Sequence, residues 1–250
     1  MPITVGTRYN IEHTLWGLVD LVYPPNCAGC GKTGTQWCAD CSSKVLPLYG
    51  RLCRKCGDPL PHTGSAKKDL CVECLHTEPA YNTLRSYTLF EGPARKAMHR
   101  LKYGGDHGLG FALAWDFATF VDTLGLSPDI VTAVPLSPSR LKQRGYNQAV
   151  SLARPLAMLM GWKFEPGCIY RHRETRSQVG LGVWERRENV RDAFSSVEEL
   201  VTEKKVLLVD DTTTTGSTLD FASCSIIKAG ANIVDCIAFA KAEAHQDHPI

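Results

Sequence analysis

The chain of 250 residues is 44% hydrophobic and 22% charged, ordinary proportions for a globular protein long enough to bury a proper core. Its formal net charge of +2 selects no class of partner, so only local clusters of charge carry information. No apolar run approaches the roughly 18 residues of a membrane helix, and Glu12, His13 and Asp20 interrupt the N-terminal apolar stretch, so neither a membrane span nor a signal peptide is expected.

Within residues 1–26, Ile11, Leu15, Leu18 and Val22 recur at helical spacing until Pro24-Pro25, which predicts a short amphipathic helix packed on the body of the protein. Glu12 and Asp20 on its polar face argue against a membrane-surface role. Residues 27–80 then carry eight of the eleven cysteines, all as C-x-x-C pairs: Cys27/Cys30, Cys38/Cys41, Cys53/Cys56 and Cys71/Cys74. Disulfide frameworks rarely space every cysteine this way, whereas one C-x-x-C turn aims two thiolates at a point about 2.3 Å away and a second turn completes the tetrahedron of Zn²⁺. Eight ligands make two zinc sites, and the reading implies a reducing cytoplasm. Consecutive pairing is favoured, with an interleaved cross-brace open. Four thiolate corners leave no position for water, so the zinc is expected to be structural, and a segment so poor in core residues must fold on it, at on the order of 10 kcal/mol per site. Cys168, Cys224 and Cys236 lie in apolar or helical surroundings and are expected in the core.

The composition changes at Tyr81, and residues 81–243 read as one α/β domain. Leu84 to Phe90 predicts a strand. Glu91-Gly92-Pro93 opens a helix made basic by Arg95, Lys96, His99, Arg100 and Lys102, either a solvated face or a surface for an acidic ligand such as single-stranded nucleic acid, with Tyr103 and Tyr146 as candidate stacking platforms. Phe111 to Leu124 predicts a second helix. Asp129 to Leu136 predicts a buried strand leading into a loop from Ser137 to Gln148, where Arg140, Lys142 and Arg144 place three cations within five residues, suited to a pyrophosphate. Leu152, Leu156 and Leu159 mark a helix. Arg171 to Asp192, rich in charge and poor in periodicity, is expected to be a long loop able to close over a crevice. Phe194 begins a short strand, Glu198 to Lys205 a surface connection and Asn232 to Ala240 the last strand. Residues 244–250 read as a tail.

The most informative stretch is Val206 to Thr218. Val206-Leu207-Leu208-Val209 reads as a strand buried on both faces, as in parallel sheets, and Leu219, Ala222, Ile226 and Ile227 mark a helix that Gly230 closes. Between them stand Asp210, Asp211 and a turn of Thr212, Thr213, Thr214, Thr215, Gly216, Ser217 and Thr218. Hydroxyls and free amide groups at a helix N-terminus form a cup for a phosphate dianion, and Gly216 lets the backbone come close. Two carboxylates would repel that phosphate but suit the vicinal hydroxyls of a ribose, or a Mg²⁺ ion beside it. The combination describes a ribose 5-phosphate. No G-x-x-x-x-G-K-[ST] motif accompanies it, and the acid pair lies too late in the chain for a phosphorelay receiver.

Here the stretch resembles the phosphoribosyl pyrophosphate (PRPP) signature of type I phosphoribosyltransferases, departing only at Thr212, where an aliphatic residue is usual. The wider chain resembles the ComF family, the competence-associated group that includes ComFC and GntX-like proteins. The resemblance is carried by the C-x-x-C pairs, Leu101 to Asp106, Val134-Pro135-Leu136 with Arg144 to Gln148, Val209 to Thr218, and the spacing of Arg173, Thr175, Gln178, Leu181, Arg186, Asn189 and Phe194. Ser137 departs from the histidine often found there. The resemblance implies a type I phosphoribosyltransferase-like parallel sheet flanked by helices behind a small Cys-rich zinc module, and a cytoplasmic role with single-stranded DNA and other competence proteins. Two readings follow. In one, PRPP is a ligand and the protein handles DNA; in the other, PRPP with Mg²⁺ donates its phosphoribosyl group to a nitrogen base, with Asp210 and Asp211 stabilising an oxocarbenium-like transition state.

Overall fold

The computed structural model describes residues 24–61, 69–106, 108–172 and 193–242. The predicted N-terminal helix, residues 173–192 of the loop expected over Arg171 to Asp192, and the tail lie outside these residues, while Arg171 itself belongs to a strand. Two short helices, α1 (Ala39–Ser42) and α2 (Val72–His76), belong to the cysteine-rich segment. The body follows as β1 (Thr83–Leu89), α3 (Gly92–Tyr103), α4 (Leu109–Asp122), β2 (Ile130–Ala133), α5 (Pro138–Arg144) and α6 (Gln148–Met160). It continues through β3 (Ile169–Arg171), β4 (Phe194–Ser196), α7 (Glu198–Val201), β5 (Lys205–Thr213), α8 (Ser217–Lys228) and β6 (Ile233–Lys241).

The main sheet has four parallel strands in the order β1-β6-β5-β2, and β3 pairs with β4 in a separate antiparallel ribbon. Side chains alternate across β5 as the period of two requires. Leu207 and Val209 join the core formed with α3, α4 and α6, whereas Val206 and Leu208 join the core formed with α8, β3 and β4. Both faces are therefore covered, which is why β5 reads as a continuous apolar run.

Three local expectations are revised. The strand expected over Asp129 to Leu136 stops at Ala133, since Pro135 has no N–H to continue the ladder after Val134 bonds the Val209 carbonyl at 2.9 Å. The segment expected as a loop between Ser137 and Gln148 contains α5, started by Pro138 in its first turn and closed by Gly145 at φ 78°. Cys224 is half-exposed rather than buried, because the inward stripe of α8 runs through Leu219, Ala222 and Ile226; Cys168 and Cys236 are buried as expected.

Helices α4 and α6 meet at an unusually close point. Pro155 lies inside α6 and cannot donate to the Ser151 carbonyl four residues back. Gly110 of α4 lies against that oxygen, and a Cβ there would stand 2.0 Å from it. Only glycine admits the approach.

The cysteine-rich segment docks on the body at two places. Around its first half, Trp37 Nε1 and Ser42 Oγ both donate to Asp116 Oδ2 of α4, at 2.9 and 2.6 Å. Around its second half, Leu84 N donates to Lys55 O at 2.7 Å and Leu48 N to Tyr87 O at 2.8 Å, so the edge strand β1 is tied to the preceding chain. Gly57 (φ 70°) lies against the Leu84 carbonyl, 2.7 Å from where a Cβ would be. This weave predicts one cooperative unit. Replacing Cys53, which is fully buried, by Ser should lower the melting temperature of the whole chain in calorimetry while metal content falls by one ion. A separate low-temperature transition, with the main one unmoved, would show instead that the second cysteine cluster folds on its own.

Candidate functional site

At the carboxyl edge of the sheet, the end of β5 and the start of α8 enclose the hydroxyl-rich turn. Gly216 adopts φ 78° and precedes a helix of 12 residues. A Cβ at Gly216 would approach Tyr81 Oη and Leu84 Cδ2 to 3.1 Å, so the turn is pressed onto the body of the protein as well as left-handed. Thr215 Oγ1 and Ser217 Oγ share a hydrogen bond of 2.7 Å, and Thr213, Gly216 and Ser217 are buried while Thr214, Thr215 and Thr218 are half-buried. Lys241, the last residue of β6, donates to Thr214 O at 3.3 Å and forms an ion pair with Asp58 beside the second cysteine cluster. The structure thus brings the six residues from Thr213 to Thr218 together at one helix start.

The acid pair is not symmetrical. Asp211 follows Leu207 and Val209 toward the α3–α6 face, where Lys102 Nζ contacts its Oδ2 at 2.7 Å and Gln148 Nε2 donates to its Oδ1 at 3.2 Å. Lys102 also donates to Thr212 Oγ1 at 2.6 Å and stands 5.8 Å from the centre of the Phe90 ring. Burial alone would raise the Asp211 pKa, but the Lys102 charge and the hydrogen bonds from Lys102 and Gln148 outweigh it and hold the carboxyl below its usual range. Asp210 goes the other way. Burial, the neighbouring Asp211 charge and a hydrogen bond to Asp211 push its pKa well above that of an ordinary aspartate.

Two stretches singled out in the sequence interlock beneath this pair. In Leu101 to Asp106, Leu101 is in the core, Lys102 reaches Asp211, and Asp106 pairs with Arg100 at 2.7 Å while accepting from Leu109 N at the start of α4. In Arg144 to Gln148, the Arg144 guanidinium lies 5.2 Å from the Tyr103 ring centre and Tyr146 Oη donates to the Leu101 carbonyl. Asn147 caps α6 by accepting from Ala149 N at 2.9 Å and donates to Val134 O at 2.9 Å, fixing Gln148 toward Asp211. Ser137 is buried, its Oγ 3.4 Å from that of Ser139.

The candidate cations separate by what they touch. On α3, Arg95 and Lys96 are exposed, Arg100 pairs with Asp106 and donates to Asn26 O, and Lys102 is turned inward. Tyr103 is 64% exposed and stacks with His99 at 4.8 Å. On α5, Arg140 and Arg144 share one face by their spacing of four, and Lys142 lies on the other. Composition did not give the inward roles of Lys102 and Gln148, yet a signal existed. Lys102 continues the spacing of Ala94 and Met98, the buried stripe of α3.

The cysteines form two groups, Cys27/Cys30/Cys38/Cys41 and Cys53/Cys56/Cys71/Cys74, with the sulfur atoms of each group within 4.8 Å of one another, which is the consecutive pairing. Burial opposes the Cys27 thiolate, but the backbone N–H groups of Cys30, Cys38 and Gly29 aimed at its sulfur bring its pKa down to about 6. Similar bonds from Cys56, Cys71 and Lys55 bring Cys53 down to about 7. Burial and the neighbouring sulfurs push Cys41, Cys56 and Cys74 the other way, so four sulfurs this close ionise together only around a cation, and Zn²⁺ takes such a set of thiolates. A groove lined by Phe194, Ser196, Phe221, Cys224, Ser225 and Lys228 shares no residue with the acid pair or the turn.

Comparison with known proteins agrees with this geometry. A double zinc ribbon domain model matches residues 18–75, so the two four-cysteine clusters are zinc-binding sites. The DNA utilization protein YhgH of Salmonella typhimurium is 31% identical over 202 residues, covering 79% of this chain and 86% of the relative. Competence protein F of Haemophilus influenzae is 27% identical over 212 residues, covering 82% and 90%. Among solved structures, the allosteric regulatory enzyme of purine biosynthesis aligns over 56% of this chain and 30% of its own at 23% identity and a TM-score of 0.40. With a parallel sheet flanked by helices behind a double zinc ribbon and a relative of this similarity along most of its length, the chain belongs to the ComF family.

Proposed function

We propose that this protein binds PRPP, or a related phosphoribosyl ligand, at the carboxyl edge of β5 and handles single-stranded DNA in the cytoplasm during DNA uptake. The observation that carries the ligand is the turn itself, a left-handed Gly216 that opens α8 beside the five side-chain hydroxyls of Thr213, Thr214, Thr215, Ser217 and Thr218 and next to two buried acids. Backbone N–H groups at the helix start and the Thr213, Thr214, Thr215, Ser217 and Thr218 hydroxyls would take the 5-phosphate. Asp210 and Asp211 supply acceptors for the ribose, and Arg140, Lys142 and Arg144, on the helix that follows the neighbouring strand, supply charge for a pyrophosphate with its Mg²⁺. The two zinc ions are structural and hold the N-terminal module, read as residues 27–80, against the body.

The DNA part of the proposal draws on the names of the relatives, which speak of DNA utilization and competence. It also draws on the exposed Arg95 and Lys96 and on the exposed Tyr103, which lies near His99 and Arg144. A cation-flanked aromatic ring is the kind of platform on which an unpaired base stacks. Other competence proteins are natural partners for such a role.

Three outcomes are expected. PRPP with Mg²⁺ at a hundredfold excess over its Kd should stabilise the protein by about 2.7 kcal/mol in thermal melts, and the double variant Asp210→Asn/Asp211→Asn should lose the shift; no shift in the wild type removes the ligand reading, and pyrophosphate release with added bases would extend it to transfer. Affinity for single-stranded DNA should fall steeply with salt, and Arg95→Glu/Lys96→Glu should weaken it and flatten the salt slope by about two, one for each phosphate that is no longer neutralised. A slope unchanged by both substitutions would make this face a solvated surface. Asp210 offers a third check, through pH. Its folded pKa is raised, so the unfolded chain releases its proton from about pH 4 upward while the folded chain keeps it, and stability declines over that interval. Asp210→Asn should therefore raise the melting temperature near neutral pH and leave it unchanged below about pH 4; a loss of stability at neutral pH would contradict the burial argument.

A further inference from the structure

Granted the phosphoribosyl ligand proposed above, the two acids meet it on unequal terms. Asp211 is 2% exposed, and three protein donors already occupy its oxygens: Lys102 Nζ at 2.7 Å, Gln148 Nε2 at 3.2 Å and Thr212 Oγ1 at 3.2 Å. A carboxylate offers about four lone-pair sites, so one at most remains for a sugar that asks for two. Asp210 is less buried, at 9%, and accepts the backbone N–H of Asp211 at 2.8 Å. It follows Val206 and Leu208 toward the face on which α8 lies, the helix whose start forms the phosphate turn.

We infer that Lys102 is a positioning residue that fixes Asp211 as an internal strut, so that Asp210 is the acid that meets the ribose hydroxyls. A buried ion pair is a weak source of stability compared with apolar packing. Lys102 nonetheless stands on the buried stripe of α3 with Ala94 and Met98, where a methionine would fill the same space. What the lysine adds is a charge opposite to that of Asp211, beside a site meant for an anion. Without it, an ionised acid next to the phosphate turn would oppose the phosphate.

The test uses the full-length, zinc-loaded protein and ribose 5-phosphate, with affinity measured by calorimetry below the melting temperature of every variant. Asp210→Ala should reduce affinity by about tenfold to a hundredfold, as expected for lost hydrogen bonds to a polar ligand. Lys102→Met should weaken both binding and the melting temperature, because it strands the Asp211 charge. Adding Asp211→Asn to Lys102→Met should restore affinity to within about threefold of the wild type, a sub-additive cycle that a purely packing role for Lys102 would not give. If Lys102→Met alone fails to fold, the double variant and Asp210→Ala still decide the matter. A double variant that binds as weakly as Asp210→Ala would mean that both acids hold the sugar and would overturn the inference while leaving the ligand reading intact. No binding of ribose 5-phosphate to the wild type would overturn both.

Discussion

The contact between Lys102 and Asp211 is where the parts of the body come together. Lys102 belongs to α3, Asp211 to the central strand β5, and Gln148, which completes the cluster, to α6. Each arrives by a separate local device. Asn147 caps α6 and anchors to the end of β2, Tyr146 bonds the Leu101 carbonyl, and the Leu101 side chain is buried in the core beside α4. An unpaired charge here would cost several kcal/mol, so the three elements can approach only if all the partners are present. Stretches far apart in the chain, Leu101 to Asp106, Arg144 to Gln148 and Val209 to Thr218, are therefore one constellation in space.

The zinc module bears on the same place from the opposite side. Its second cluster is bonded to β1 through Lys55, and Arg85 of that strand reaches back to the Cys53 and Arg54 carbonyls. Asp58 holds Lys241, which holds the Thr214 carbonyl, and Ala80 N bonds Asp220 in the first turn of α8 at 2.7 Å. The phosphate turn is thus braced from behind by a segment with few core residues of its own. Zinc supplies what apolar burial does not, since metal binding to such a segment is folding free energy.

Much of this was legible from residue patterns. The eight cysteines gave both clusters because C-x-x-C spacing is itself a geometric statement, and Val206 to Thr218 gave strand, turn and helix start, although the strand read as ending at Val209 runs on through both acids to Thr213. Harder to read were features decided by tertiary partners. A lysine beside other basic residues reads as surface until its spacing from Met98 is weighed, and nothing local says that its partner lies 109 positions away. The segment after Pro135 read as a loop because its charges were counted before its caps, although Pro138 and Gly145 bracket a helix of seven residues. Cys224 was assigned to the core for its residue type when its phase on α8 points outward.

The remaining question is how an acid-rimmed hollow can welcome a phosphate. Both acids ionised together would place two negative charges where a dianion must sit, and Coulomb repulsion at a few ångströms would oppose binding by several kcal/mol at an effective dielectric near 20. The geometry removes most of that charge in the resting protein. Lys102 balances Asp211, burial with the Asp211 charge favours the protonated form of Asp210, and the helix start of α8 adds partial positive charge. A neutral acid of this kind also changes what the site can offer. A protonated Asp210 shares its one proton with Asp211 and keeps lone pairs that can accept from the sugar hydroxyls. The acids therefore contribute shape and hydrogen bonding without the repulsion that their sequence alone suggests, and it is the lysine on α3 that makes this possible.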